Sequence, residues 1–128
     1  MNIPLFIAAC LTLLAFAAHL FAGTRETAAL APPPDDAPRT KHWVQAMCVF
    51  QMVSVDLLAI TLLLFVAAFR DLGPLEPLLL SGLALLYLAW AGAWLVQLRW
   101  LNRPAATILG LPQWMLFVLC AGLVFLGR

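Results

Sequence analysis

The chain has 128 residues, of which 65% are hydrophobic and 10% charged, with a formal net charge of +1. An average soluble domain is about 45–50% apolar and about 25% charged. The composition therefore excludes a water-soluble globular domain and points to a single domain solvated by lipid, and the near-zero charge excludes an electrostatic attraction for nucleic acid.

The first apolar run, Ile3 to Gly23, is long enough to span a bilayer, with Pro4 suited to a first helical turn. Ala15-Phe16-Ala17 resembles a signal cleavage site, but Met1-Asn2-Ile3-Pro4 carries no Lys or Arg, so a retained span is expected. Thr24 to His42 follows; its Ala31-Pro32-Pro33-Pro34-Asp35-Asp36-Ala37-Pro38 run reads as an extended surface loop. The second span is Trp43 to Phe69, and Arg70 to Glu76 forms a turn at Gly73-Pro74. The third span runs from Pro77 to Leu98, and Arg99 to Pro104 is a basic corner. Gln113 to Gly127 is short for a span, at about 22 Å of helix against a hydrocarbon core of about 30 Å. A helix from Ala105 with a break near Pro112 is expected to complete it. The predicted fold is an all-α polytopic membrane protein, an antiparallel bundle of four transmembrane helices over residues 3–23, 43–69, 77–98 and 105–127.

Basic residues set the predicted orientation. The first and third loops hold Arg25, Arg39, Lys41, Arg99 and Arg103, whereas the other side holds Arg70 and Arg128. The positive-inside rule puts loops 24–42 and 99–104 in the cytoplasm and both termini outside. Trp43, Trp100 and Trp114 fall at the same boundary, where an aromatic belt belongs.

Asp56 is the residue that most needs a reason. It lies 13 residues from either end of the second span. A carboxylate at a helix centre costs about 2.5–3.5 kcal/mol on insertion scales, so Asp56 is expected to face the bundle interior, neutral or hydrogen-bonded. Its expected level is near Trp90, Tyr87 and Trp94 of the third span and Cys10 and Thr12 of the first. Two readings stand: a proton or cation site, or a hydrogen-bonded acid holding helices together.

Ala8, Thr12, Ala15, His19 and Ala22 share one helical face of small and polar residues, so His19 is expected to point into the bundle. Met47, Cys48 and Gln51 lie near its level, and a hydrogen bond to Gln51 or to the polar loop is its plain explanation. In the second span, Gln51, Ser54 and Thr61 share one side and Gln45, Met52 and Asp56 another, turned by about 120–140°. A helix polar on two sides is expected to touch protein on both. Ala89, Ala93 and Gln97, with Gly82 and Gly92, form an expected packing stripe on the third span.

Cys10, Cys48 and Cys120 each lie in an apolar run with no C-x-x-C pair, and read as small buried hydrophobes. No metal site and no cofactor are expected. At the cytoplasmic rim, Arg25, Glu26, Arg39, Lys41, Arg99 and Arg103, with His42, are candidates for an anionic lipid head group or a partner's acidic patch. Their plainer reading is topology signal and snorkelling.

His19-Leu20-Phe21-Ala22-Gly23-Thr24-Arg25-Glu26, the Gln51–Asp56 region and Leu111-Pro112-Gln113-Trp114 together resemble small uncharacterised four-span bacterial inner-membrane proteins. Those carry an H-x-x-x-G-x-R/E element near the end of the first span and a Trp-His pair early in the second. The resemblance implies the same four-helix topology and brings no activity with it. Phe50-Gln51 stands where the Trp-His falls, which argues against a two-histidine metal or haem site. Small multidrug transporters also have four spans, but they need a Glu in the first span, and none is present here.

Two functions follow as expectations. One is an accessory subunit or homo-oligomeric module, in the bilayer and without a catalytic motif. The other is a small proton-coupled transporter or channel built on Asp56 with His19, Gln51 and Tyr87. Catalysis requires converging titratable groups, and the sequence offers only His19, Arg25, Glu26 and the basic rim for that role.

Overall fold

The computed structural model describes every residue except Arg103, and Ala105 by its backbone alone. The described residues form helices joined by short turns. They are α1 (Ile3–Ala17), a π-helical turn (Ala18–Gly23), α2 (Thr24–Ala28), α3 (Ala37–Phe69), α4 (Glu76–Trp100), α5 (Ala105–Gly110) and α6 (Gln113–Gly127). Three helical stretches, Ile3–Ala28, Ala37–Phe69 and Glu76–Trp100, are long and apolar enough to cross a membrane, and α6 is a shorter apolar helix of 15 residues.

The segment expected to be an extended loop is shorter than the sequence implied. Helix continues from the first span through Ala28, and α3 begins at Ala37 rather than Trp43. The reason is an N-cap inside the proline run. Asp36 Oδ1 accepts from the Arg39 amide (3.2 Å), and its carbonyl accepts from the Thr40 amide (2.9 Å). Ala37 and Pro38 then occupy the first helical positions, where a missing N–H costs nothing.

Contacts divide the chain into two units, each described by itself: Thr12–Leu63, and Met1–Leu11 with Leu64–Arg128. The second unit is centred on α4 and α6, which pack together. The buried positions of α4 (Leu80, Ala84, Tyr87, Ala91, Leu98) recur at three-, four- and seven-residue intervals, and α6 buries Cys120, Ala121, Val124 and Gly127. Small residues on both helices (Ala84 and Ala91 of α4, Cys120, Ala121 and Gly127 of α6) allow close approach. Tyr87 lies edge-on to Trp90, with 5.8 Å between centroids, and Trp90 leans on Phe117 at 5.6 Å. The stripe expected to pack, Gly82, Ala89, Gly92, Ala93 and Gln97, is instead exposed, and among the described residues no neighbouring side chain or helix lies within 4 Å of a Cβ built on Gly82 or Gly92.

A clasp closes this unit at one end. Asn2 donates its amide N–H to the Ala68 carbonyl (2.7 Å) and its side-chain Nδ2 to the Gly127 carbonyl (2.6 Å). Its Oδ1 caps α1 by accepting from the Leu5 amide (3.3 Å). Phe6 fills the space beside it, edge-on to Phe65 and Phe69. Arg128 adds a bond to Ser81 Oγ at 2.9 Å and lies 4.1 Å over the Phe125 ring. The start of α1, the ends of α3 and α6 and the first turns of α4 thus meet at one place.

Candidate functional site

The Thr12–Leu63 unit holds the polar residues that need a role. The run from α1 into α2 passes through the π-helical turn, whose wider ring shifts the face presented by the residues beyond it. Before the turn Thr12 is buried and Ala15 half-buried, His19 within it is half-buried, and Ala22, expected on the same face, is exposed. Turns of this kind recur at functional sites. Here it places His19, Gly23 and Thr24 against one stretch of α3.

His19 Nδ1 lies 3.1 Å from Ser54 Oγ, and the imidazole stacks on Phe50 with 3.7 Å between ring centroids. Ser54 Oγ donates to Gln51 Oε1 (3.4 Å), Gln51 Nε2 donates to Thr24 Oγ1 (2.9 Å), and Thr24 Oγ1 donates to the His19 carbonyl (3.4 Å). The bonds form a closed loop. Ser54 has one proton, and it goes to Gln51, so the loop is complete when His19 donates from Nδ1 and keeps a lone pair on Nε2. His19 therefore bonds to Ser54, and Gln51 secures the π-turn by way of Thr24. Gly23 makes the arrangement possible: a Cβ there would lie 2.8 Å from Phe50 Cζ. Beyond it, Trp43 Nε1 donates to the Thr27 carbonyl (3.2 Å) and fastens α2 to α3.

Comparison with protein-family models, with curated proteins and with solved structures finds no match to this chain.

Asp56 does not face inward. The buried side of α3 at that depth is taken by Ser54, Leu57 and Thr61, at 4%, 4% and 1% exposure, and Thr61 bonds back to the Leu57 carbonyl (2.7 Å). At about 100° per residue, Asp56 is turned away from that arc. Its carboxyl is exposed, with no hydrogen bond or ion pair among the described residues. Gln45, Cys48, Val49, Met52 and Ala59 are exposed with it, on the same side of the helix. The two polar sides read from the sequence therefore differ: Gln51, Ser54 and Thr61 are satisfied within the chain, and Gln45, Met52 and Asp56 are not covered by it.

The other candidates separate. Tyr87 is buried at 1% exposure in the packing of α4, away from any exposed surface. Arg39 is held by Asp36 at 3.3 Å. Arg25, Glu26, Lys41, His42 and Arg99 are exposed, and Arg103 lies outside the described residues. At the end of α4 an open recess of about 560 Å³ is lined by Leu95, Val96, Arg99, Trp100 and Asn102. Cys120 is buried as expected, Cys10 is half-buried and Cys48 is exposed. No group of three or more metal-ligating side chains occurs among the described residues.

Phe50, Ser54 and Thr24 were not singled out as partners of His19. The available signal was their spacing: Phe50 and Ser54 stand four residues apart, as do His19 and Gly23, with Gln51 and Thr24 each next to one of those residues.

Proposed function

We propose that the protein is a non-enzymatic interaction module of a bacterial inner membrane, joined to another membrane polypeptide through the exposed polar side of α3. One observation carries the reading: Asp56, midway along the apolar part of a helix long enough to span a bilayer, is exposed. Left in hydrocarbon, the acid costs about 2.5–3.5 kcal/mol, and protein contact removes that penalty. Such an intramembrane acid is a functional residue by default.

The reading includes a fourth crossing by α5 and α6. Its support is the clasp at Asn2. Hydrogen bonds hold the end of α6 beside the start of α1 and the end of α3. A chain that returns to its starting side has crossed an even number of times. Loops 24–42 and 99–104 are then cytoplasmic by their basic residues, with both termini outside. Arg99 beside apolar Leu95 and Val96 suits an anionic lipid, with phosphate on the guanidinium and an acyl chain along the recess. The resemblance of the His19 to Glu26 stretch to small four-span bacterial inner-membrane proteins supports the choice of membrane.

The transporter reading requires an acid inside a pathway, and an exposed Asp56 meets that need only where several chains enclose it. The test is the environment of Met52, one turn from Asp56 and 66% exposed. In native membranes, a cysteine at position 52 in an otherwise cysteine-free chain should react slowly with a lipid-soluble maleimide. A cysteine at Leu62, on another side of α3, should react fast. Equal rates at the two positions would show lipid against the Asp56 side and end the proposal.

A further inference from the structure

Resting on the reading just given, we infer that the partner covering Asp56 is a second copy of this chain, in a parallel pair with α3 against α3 and Asp56 against Asp56. The first argument is depth. Copies of one chain insert with one topology, so a two-fold axis relating them runs along the bilayer normal, and every residue lies at the depth of its own counterpart. An acid at mid-depth therefore meets an acid at mid-depth.

The second argument is chemical complementarity. No Lys or Arg occurs between Lys41 and Arg70, from Ile3 to Ala22, from Pro77 to Leu98 or from Gln113 to Gly127. A copy of this chain offers Asp56 no cation at its level, and needs none. A neutral carboxyl has one O–H donor and a carbonyl acceptor, so two of them at a two-fold axis exchange two hydrogen bonds and leave no polar atom toward lipid. The rest of the stripe is suited to the same axis. Ala59 and Cys48 are small enough for close approach, Met52 and Val49 fill the seam, and Gln45 pairs with its counterpart nearer the boundary. The residues that would otherwise compete for the acid, His19, Ser54 and Gln51, are already bonded to one another on the other side of α3.

The test uses the purified full chain in neutral phospholipid liposomes, where it is the sole polypeptide. Single cysteines at Met52 or Leu62 are placed in a background carrying Cys10→Ser, Cys48→Ser and Cys120→Ala. Copper-catalysed oxidation should give a disulfide-linked dimer from position 52 and none from position 62. Asp56→Ala should weaken association about tenfold, read as a shift of crosslinking to higher protein-to-lipid ratio. Asp56→Asn should retain it, because an amide also donates and accepts. Circular dichroism of each variant reports that the helices are intact. Crosslinking at both positions alike would mean random collision and overturn the pair. Asp56→Asn behaving like Asp56→Ala would overturn the acid-to-acid contact. A monomer in liposomes, together with a shielded position 52 in native membranes, would assign the surface to a different polypeptide. The second-copy inference then fails while the interaction reading stands. Equal labelling of the two positions in native membranes would remove both.

Discussion

His19 is fixed from three directions at once: by Ser54 on Nδ1, by the Phe50 ring on its face, and by Thr24 on its carbonyl. Gly23 is the hinge of that arrangement, because Phe50 cannot swing away from a new Cβ without leaving the imidazole. Gly23→Ala should therefore lower stability by about 1–3 kcal/mol, seen as a reduced thermal midpoint in detergent. The clasp makes a parallel case. A Cβ on Gly127 would lie 2.7 Å and 2.8 Å from Leu5 side-chain carbons and 2.9 Å from Asn2 Oδ1. Gly127→Ala should cost a similar amount of stability, and Asn2→Ala, which removes the cap and the bond to Gly127, about 1–2 kcal/mol. Equilibrium unfolding in mixed micelles checks both. At this scale the sequence was partly readable. The small and polar face of the first span marked His19 as inward, and the residue is half-buried. Phe50 is one aromatic among many apolar residues, and nothing in an apolar run announces which ring stacks on an imidazole. Asp56 was readable as costly, but its direction was not. The choice between inward and outward depends on which arc of α3 is buried, and polar residues on two sides leave that open until the helix is packed.

Among the elements, α3 owes its early start to Asp36. Asp36→Ala should cost about 1 kcal/mol and speed hydrogen exchange at the Arg39 and Thr40 amides, with the apolar part of the helix unchanged. That cap was legible in Asp36-Ala37-Pro38, but three preceding prolines make the same stretch read as extended chain. Local composition and the capping pattern disagree there, and the cap prevails because Pro38 sits where its missing donor is not needed. At the other end of the chain, the interruption of the last helix was legible from Pro112 alone. Leu111 leaves helical geometry at φ −117° and ψ 71°, and α6 starts afresh at Gln113. Pro112→Ala restores the amide N–H and removes the ring clash. The expected result is slower hydrogen exchange across Gly110 to Trp114, as α5 and α6 become one helix. On α4 the periodicity was real but the side was misjudged. Exposed glycines and alanines look like a packing stripe in sequence, whereas Tyr87 and the flanking small residues form the seam that is used.

For the molecule as a whole, composition together with the lengths of the apolar runs was enough to read an all-α chain with helices long and apolar enough to cross a membrane. The number of crossings was harder to read, because α6 is shorter than a full span, and the proposed fourth crossing rests on the bonds at Asn2. A reporter enzyme fused before Met1 and one fused after Arg128 should thus be active in the same compartment, with one fused into residues 29–36 active in the other. Opposite behaviour of the two terminal fusions would limit the chain to an odd number of crossings. The hydrogen bond from Asn2 to Gly127 has a topological corollary. With the two ends touching, a short flexible linker between them would close the backbone into a ring. The ring could then be cut among the prolines at 32–34, giving a permuted chain whose helices keep their neighbours although their order of synthesis has changed.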